Sequence, residues 1–195
     1  MKEQSVELLQ MQNNTVAESF KGSMDSYKEI VLGTVMDDSV QNYCRQVQKN
    51  ELKTADIDAV YSKLENLNNM YESLNFAAIV SSDYKSYYYR GKGSLSVTQF
   101  EEVYPQAYGR SKYAQKGTLK VSYNNDYYKG NRYTLSLYYP LYDTRKVSDA
   151  RGLLCMNFDD PAVQRMLAVG DSSAETRVVD TCLLYTSPSP RDLST

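Results

Sequence analysis

The order of patterns along this 195-residue chain predicts an α+β fold, with long helices first and an antiparallel sheet after them. Three observations carry that prediction. Between Val16 and Leu74 the apolar residues recur at three- and four-residue steps, the period of a helix face. Beyond Asn75 come short apolar runs of strand length, several alternating in twos. Those runs follow one another through short, hairpin-like connections, which pairs neighbours antiparallel and leaves the helices on one side.

Val16, Phe20, Met24, Tyr27, Val31 and Val35 mark the first helix as one apolar stripe, with Glu18, Lys21, Asp25 and Lys28 opposite. Continuous from about Ser5 to Val35, it would be roughly 45 Å long at 1.5 Å per residue. "MDDS" at Met36 to Ser39 supplies N-cap side chains for a second helix through Val40, Tyr43, Cys44 and Val47. "NELKTAD" reads as a connection, and a third helix follows on Ile57, Val60, Tyr61, Leu64, Leu67, Tyr71 and Leu74. Strands are expected in "FAAIVSS" and "SYYYRGKG", with "DYK" turning between them. Ser96 and Gln99 have capping-box spacing and open a short helix over Val97, Phe100 and Val103, stopped before Pro105. After the loop-like "QAYGRSKYAQKG" come three strands, "TLKVSYN", "RYTLSLYY" and "RGLLCMNF". The glycine-bearing "NDYYKGN" makes the first two of these a hairpin. Asp159 and Asp160 cap a helix in "DPAVQRMLA" that Pro161 begins and Gly170 and Asp171 end; "AETRVVDT" opens another strand.

Composition narrows the function. A chain of this length buries roughly 70% of its unfolded surface and needs no metal or disulfide staple. A net charge of -2 offers no footprint for nucleic acid or an anionic membrane surface. With no histidine, the chain lacks the commonest general base, the commonest transition-metal ligand and any phosphoacceptor histidine. Cys44 and Cys155 fall in a helix and a strand pattern without metal-ligand spacing; they read as small buried hydrophobes, and a bridge between them is left open. The pairs Asp37/Asp38, Glu101/Glu102 and Asp159/Asp160 lie at helix starts or on a short helix, where capping and the helix dipole explain them better than acid–base chemistry. GxSxG, P-loop, GxGxxG, HExxH and EF-hand patterns do not occur, so no catalytic residue, metal ligand or cofactor is assigned. No run reaches the ~20 apolar residues of a membrane span. The opening "MKEQSVELLQ" lacks the apolar core of a signal peptide, so the protein is either cytosolic or a piece that has lost its targeting segment.

The last segment, "CLLYTSPSPRD" at Cys182 to Asp192, follows "ETRVVDT" with no turn between them. It resembles, residue for residue, the read-through translation of a transposon-end adaptor used in sequencing libraries; a Ser/Pro-rich linker is the alternative. Residues 182–195 are therefore expected to be non-native, with the true protein continuing past Thr181.

The helix-rich start ending in "YESLNFAAIVSSDYKSYYYRG", the segment "YTLSLYYPLYDTRKVSDARGLLCMNFDDPAV" and the strand "ETRVVDT" resemble, in that order, the extracellular double-Cache sensor domain of bacterial transmembrane receptors. The likeness is greatest to those of Gram-positive sensor histidine kinases. The motifs are loose and cover about Met1 to Asp171, the membrane-distal half. The resemblance implies a PAS-like antiparallel sheet with short inserted helices, a membrane-anchored parent, a sensor on the outer side of the cell membrane, and a homodimer through the N-terminal helices. It divides the chain into a helical segment at 1–74, a sheet domain at 75–171, the start of a truncated membrane-proximal subdomain at 172–181 and the tail at 182–195. The fragment itself would not be an enzyme, its kinase part being absent.

The chain's 19 tyrosines, against 4 Phe and no Trp, acquire a role in that setting, beside the plainer one of ordinary strand formers. In "YTLSLYY", Tyr133, Leu135, Leu137 and Tyr139 share one face and Thr134, Ser136 and Tyr138 the other; Leu154, Met156 and Phe158 likewise oppose Leu153, Cys155 and Asn157. One face is apolar enough to pack on the helices. The other mixes rings, hydroxyls and an amide, the composition of a small-ligand cleft. Ligand contacts are expected from Tyr89, Arg90, Tyr108, Arg110, Tyr123, Tyr138 and Asp143. Arg110 would clamp a carboxylate and Asp143 take an amine, which suits an amino-acid-like ligand or a small acid. The alternative is that Arg90, Lys92, Arg110 and Lys112 are solvated loop charges. The full amino-acid-binding pattern of some Cache receptors relies on a Trp that this chain lacks, so the ligand class stays open. A chemotaxis receptor or diguanylate cyclase could carry the same module. The rival from another class is an exported carbohydrate-binding domain or hydrolase.

Overall fold

A computed structural model describes residues 2–81, 87–92, 118–123, 133–145, 150–159, 179–180 and 183–184. Three helices come first: α1 (Lys2–Val35), α2 (Asp38–Lys49) and α3 (Thr54–Met70). Strands β1 (Leu74–Ser81), β2 (Tyr87–Gly91), β3 (Thr118–Tyr123), β4 (Tyr133–Leu141) and β5 (Gly152–Phe158) follow and form one five-stranded sheet in the order β2-β1-β5-β4-β3. Every pairing in it is antiparallel. The fold is the α+β arrangement expected. A separate two-residue ladder joins β6 (Val179–Asp180) to β7 (Leu183–Leu184), the latter within the segment that resembles adaptor sequence.

The helices start and stop where their side chains can satisfy loose backbone groups. Asp37 has extended dihedrals and accepts from the Ser39 N–H at 3.0 Å, which caps α2. Asn50 ends α2 in the left-handed region at φ 59°, which lets the Asn50 and Glu51 amides reach back to Val47 and Gln46. The Lys53 N–H donates to Asp56, while Asp56 also accepts from Asn42, so one carboxylate ties the start of α3 to α2. The third helix stops earlier than its apolar spacing predicts. Tyr71 is extended and Leu74 already opens β1. A buried helix face and the first position of a buried strand both demand a large aliphatic residue, so spacing alone could not separate them.

The core lies between the helices and one sheet face. Met24, Tyr27, Val31 and Val35 of α1, Val40, Tyr43 and Cys44 of α2, and Val60, Leu64 and Leu67 of α3 pack on Ala77, Ile79, Leu135, Leu137, Leu154, Met156 and Phe158. The apolar stripe of α1 thus serves the core from Met24 onward. Tyrosines join the layers. Tyr27 stacks on Phe158 at 4.0 Å, and Tyr88 of β2 takes Tyr43 and Tyr61 edge-on at 5.7 Å each. Two glycines permit the sheet's close approaches. A Cβ on Gly91 would lie 2.4 Å from the Phe76 Cβ, and one on Gly152 would lie 2.6 Å from the Val80 carbonyl oxygen. The segments 93–117, 124–132 and 160–178, which contain the expected Ser96–Gln99 capping box, the "NDYYKGN" loop and the "DPAVQRMLA" helix, lie outside the described residues.

Candidate functional site

The sheet face turned away from the helices is built by strand alternation. Its members are Phe76, Ala78 and Val80 of β1, Tyr87 and Tyr89 of β2, Thr134, Ser136 and Tyr138 of β4, and Leu153, Cys155 and Asn157 of β5. The register orders these into rows. Tyr89 stands beside Ala78, Ala78 beside Cys155, and Cys155 beside Tyr138. Two large rings therefore flank two of the smallest side chains. With strands about 4.8 Å apart, the two tyrosine Cα positions are separated by about 14 Å. This row, floored by Ala78 and Cys155 and here termed the trough, belongs to one buried apolar cluster with Phe76, Val80 and Leu153. Ala78, Cys155 and Tyr138 are fully buried, Tyr89 half-buried, so the trough is an interior feature.

One end of the trough is polar. Asn157, fully buried, donates through Nδ2 to Ser136 Oγ at 2.8 Å and Thr134 Oγ1 at 3.2 Å. Its Oδ1 accepts from Asn75 Nδ2 at 2.8 Å. Asn75 reaches this face because a bulge between Leu74 and Phe76 puts two consecutive residues on one side. The network runs one way, from amide to amide to hydroxyls. Thr134 and Ser136 spend acceptor capacity on Asn157, and a hydroxyl that accepts can also donate its own proton. Buried hydroxyl donors of this kind are the usual means by which a mostly apolar cleft orients a ligand.

Of the seven residues expected to touch a ligand, Tyr89 and Tyr138 line the trough. Arg90 does not. Alternation turns it to the helix side, where its guanidinium lies 4.0 Å from the Tyr61 ring centroid and its Nε 3.9 Å from Glu65. Asp143 lies just beyond β4, 7% exposed, with Oδ1 accepting from the Arg145 N–H. Its neighbours Tyr142 and Thr144 are hydrogen-bonded to Gln41 of α2, so it sits toward the helix layer. Tyr123 pairs with Tyr133 in the β3–β4 register, the parity of Leu135 and Leu137. Tyr108 and Arg110 lie outside the described residues. Sequence reading placed Thr134, Ser136 and Asn157 on the mixed face without giving them a role, and it passed over Asn75, whose position depends on a bulge that no pattern in β1 announces.

Cys44 and Cys155 are both free and buried, and they belong to opposite sides of the sheet, so they do not bridge. Burial, and then the Asp143 carboxylate, push the Cys44 thiol up to about 12 against the weaker pull of Arg45 and Arg151. Burial alone pushes Cys155 upward. Both stay protonated as the small hydrophobes their patterns suggested. Among the described residues, no cluster of three or more His, Cys, Asp or Glu could hold a metal, and no helix is long and apolar enough to cross a membrane.

No protein-family model and no curated protein matches this chain. Among solved structures it is similar to the sensor domain of the V. cholerae histidine kinase DctB, with a TM-score of 0.57 and 12% identity over 85% of this chain and 60% of that one. A weaker likeness, with a TM-score of 0.41 in both cases, is to the ligand-binding domain of the Pseudomonas fluorescens chemoreceptor CtaA. It covers 76% of this chain and 60% of the L-isoleucine complex at 13% identity, and 73% and 60% for the L-leucine complex at 14%. This chain thus spans about 60% of the DctB sensor domain, with which it shares its α+β fold.

Proposed function

We propose that this chain is the ligand-sensing, extracytoplasmic part of a membrane-bound signal-transduction receptor, in the first instance a two-component sensor histidine kinase. The observation that carries the reading is the trough. Two tyrosines flank a floor of Ala78 and Cys155, with the Asn157 network and its hydroxyl protons at one end, inside a fold shared with a histidine kinase sensor domain. The ligand is a small molecule, amino-acid-like or a small acid. Tyr89 and Tyr138 wall it and Ser136 and Thr134 orient it; Tyr108 and Arg110 keep the contacts expected of them. In this reading residues 1–74 are the helical part of the sensor, 75–171 its sheet domain and 172–181 the start of a membrane-proximal subdomain. Residues 182–195 are foreign to it.

Ligand entering the trough would shift β4 and β5 against the helices, and α1 would carry the displacement toward the membrane. A coupling of about 1–3 kcal/mol suffices for a several-fold change in output. The parent acts as a homodimer through its N-terminal helices, a reading supported by the exposure of Glu7, Gln10, Met11, Asn14 and Thr15 on α1. A chemotaxis receptor or diguanylate cyclase would use the module in the same way. A glycoside hydrolase of the common kind needs two facing carboxylates, and among the described residues the trough face carries no Asp or Glu. Sequencing the DNA on either side of the region that encodes this chain tests the reading. An encoded apolar stretch of about 20 residues upstream of position 1 is expected. A cleavable secretory leader joined directly to this domain would favour the exported enzyme or binding domain.

A further inference from the structure

Gln41 of α2 is only 4% exposed, and all four hydrogen-bonding positions of its side-chain amide are used. Nε2 donates to the Val35 carbonyl at 2.8 Å and to the Tyr142 carbonyl at 3.0 Å. Oε1 accepts from the Thr144 N–H and the Thr144 hydroxyl, each at 3.0 Å. Only one orientation of the amide fits, because turning it over would set its donors against the Thr144 N–H and its oxygen against two carbonyls. Val35 is the last residue of α1, and Tyr142 to Thr144 are the first residues after β4. One side chain from a third element therefore joins the end of the long helix to the exit of the strand that carries Ser136 and Tyr138. The same elbow is held on α3, where Lys63 meets the capping Asp37 at 2.8 Å.

We infer that Gln41 is a mechanical coupler: it makes the end of α1 and the β4 exit move together, so that a displacement of β4 is delivered to the α1–α2 elbow. Direct packing cannot do this as selectively. The Tyr27–Phe158 stack and its apolar neighbours hold by non-directional contact, whereas the amide's four bonds fix both distance and direction. The strand's movement by a ligand rests on the sensor reading above; the coupling itself does not. A test without ligand therefore judges the coupler alone, while a ligand screen judges the sensor.

The test is residue-resolved amide hydrogen exchange on the whole chain, on two variants and on their combination. Thr144→Val removes one bond to Oε1 and touches nothing in α1. Exchange of the Met36 and Asp37 amides, which close the last turn of α1, should rise by up to about five-fold, the equilibrium weight of one hydrogen bond. In Gln41→Met the Thr144, Met36 and Asp37 amides should all speed up together while those of Ala78 and Cys155 keep native rates. Adding Thr144→Val to Gln41→Met should then change nothing further at Met36 and Asp37. Native exchange at Met36 and Asp37 in Thr144→Val overturns the inference. So does a uniform rise across the sheet in Gln41→Met, which would make Gln41 a general stabiliser. If Gln41→Met does not fold, the Thr144→Val result decides alone.

Discussion

Asn157 and Asp37 show two ways in which a single polar side chain is made to matter. Asn157 is buried with no charge to neutralise, and its value lies in the three partners it satisfies at once. Asn157→Ala leaves Asn75, Thr134 and Ser136 buried and unmatched, and should cost about 1–3 kcal/mol in chemical denaturation. A loss near zero would mean the network is already shared with water. Asp37 is a charge at a helix start. Burial raises its carboxyl, but hydrogen bonds from Lys63 and Ser39 and the Lys63 charge outweigh that and hold it below the usual carboxylate range. A carboxyl depressed in the folded state stabilises fully above its unfolded value of about 3.9, and the contribution fades as pH falls through the lower folded value. The stability gap between the native chain and Asp37→Ala should therefore be about 1 kcal/mol at pH 7 and shrink below about pH 4. Denaturation midpoints measured across that range check both the size and the sign; a gap that widens in acid would contradict the assignment.

Among the elements, helices and strands were legible in the chain to different depths. The stripe from Met24 to Val35 is read correctly because one helix face meets one sheet face and nothing else competes for it. The two faces of β4 and β5 were legible for the same reason, since alternation is a property of the backbone. What could not be read is whatever depends on a neighbour. Arg90 looks like a loop charge and is held by Tyr61 and Glu65 across α3. Leu74 keeps helical spacing and yet begins β1. Asn75 becomes part of the candidate site only through the bulge. Glycines separate along the same line. A Cβ on Gly33, exposed in α1, meets nothing within 4 Å, so Gly33→Ala should stabilise by about 0.5–1 kcal/mol. Gly91→Ala drives a Cβ into Phe76 and the Asn75 carbonyl, and should destabilise by about 1–3 kcal/mol. Thermal melting of the two variants should shift in opposite directions; a shared direction would show that the β1–β2 edge is looser than its contacts indicate.

At the scale of the whole molecule, the helix layer and the trough occupy opposite faces of one sheet, so in the proposed sensor a ligand would act on the helices through β4 and β5. That arrangement explains why the tyrosines divide: Tyr27, Tyr43 and Tyr88 bind the layers together, while Tyr89 and Tyr138 flank the small side chains of Ala78 and Cys155 on the other face. It also makes the floor the place to interfere. Filling it with Ala78→Leu should suppress ligand binding, with the destabilisation of about 1–3 kcal/mol that overpacking brings. The most direct test is the melting temperature of this chain against a panel of amino acids, small carboxylic acids and sugars. At a hundred-fold excess over its dissociation constant a ligand adds about 2.7 kcal/mol, which for a domain of this size is a rise of about 5–10 °C. A rise of that order for one chemical class, lost in Ala78→Leu, is the result the account predicts; an unmoved melting temperature across the panel, or a rise that Ala78→Leu leaves intact, would contradict it.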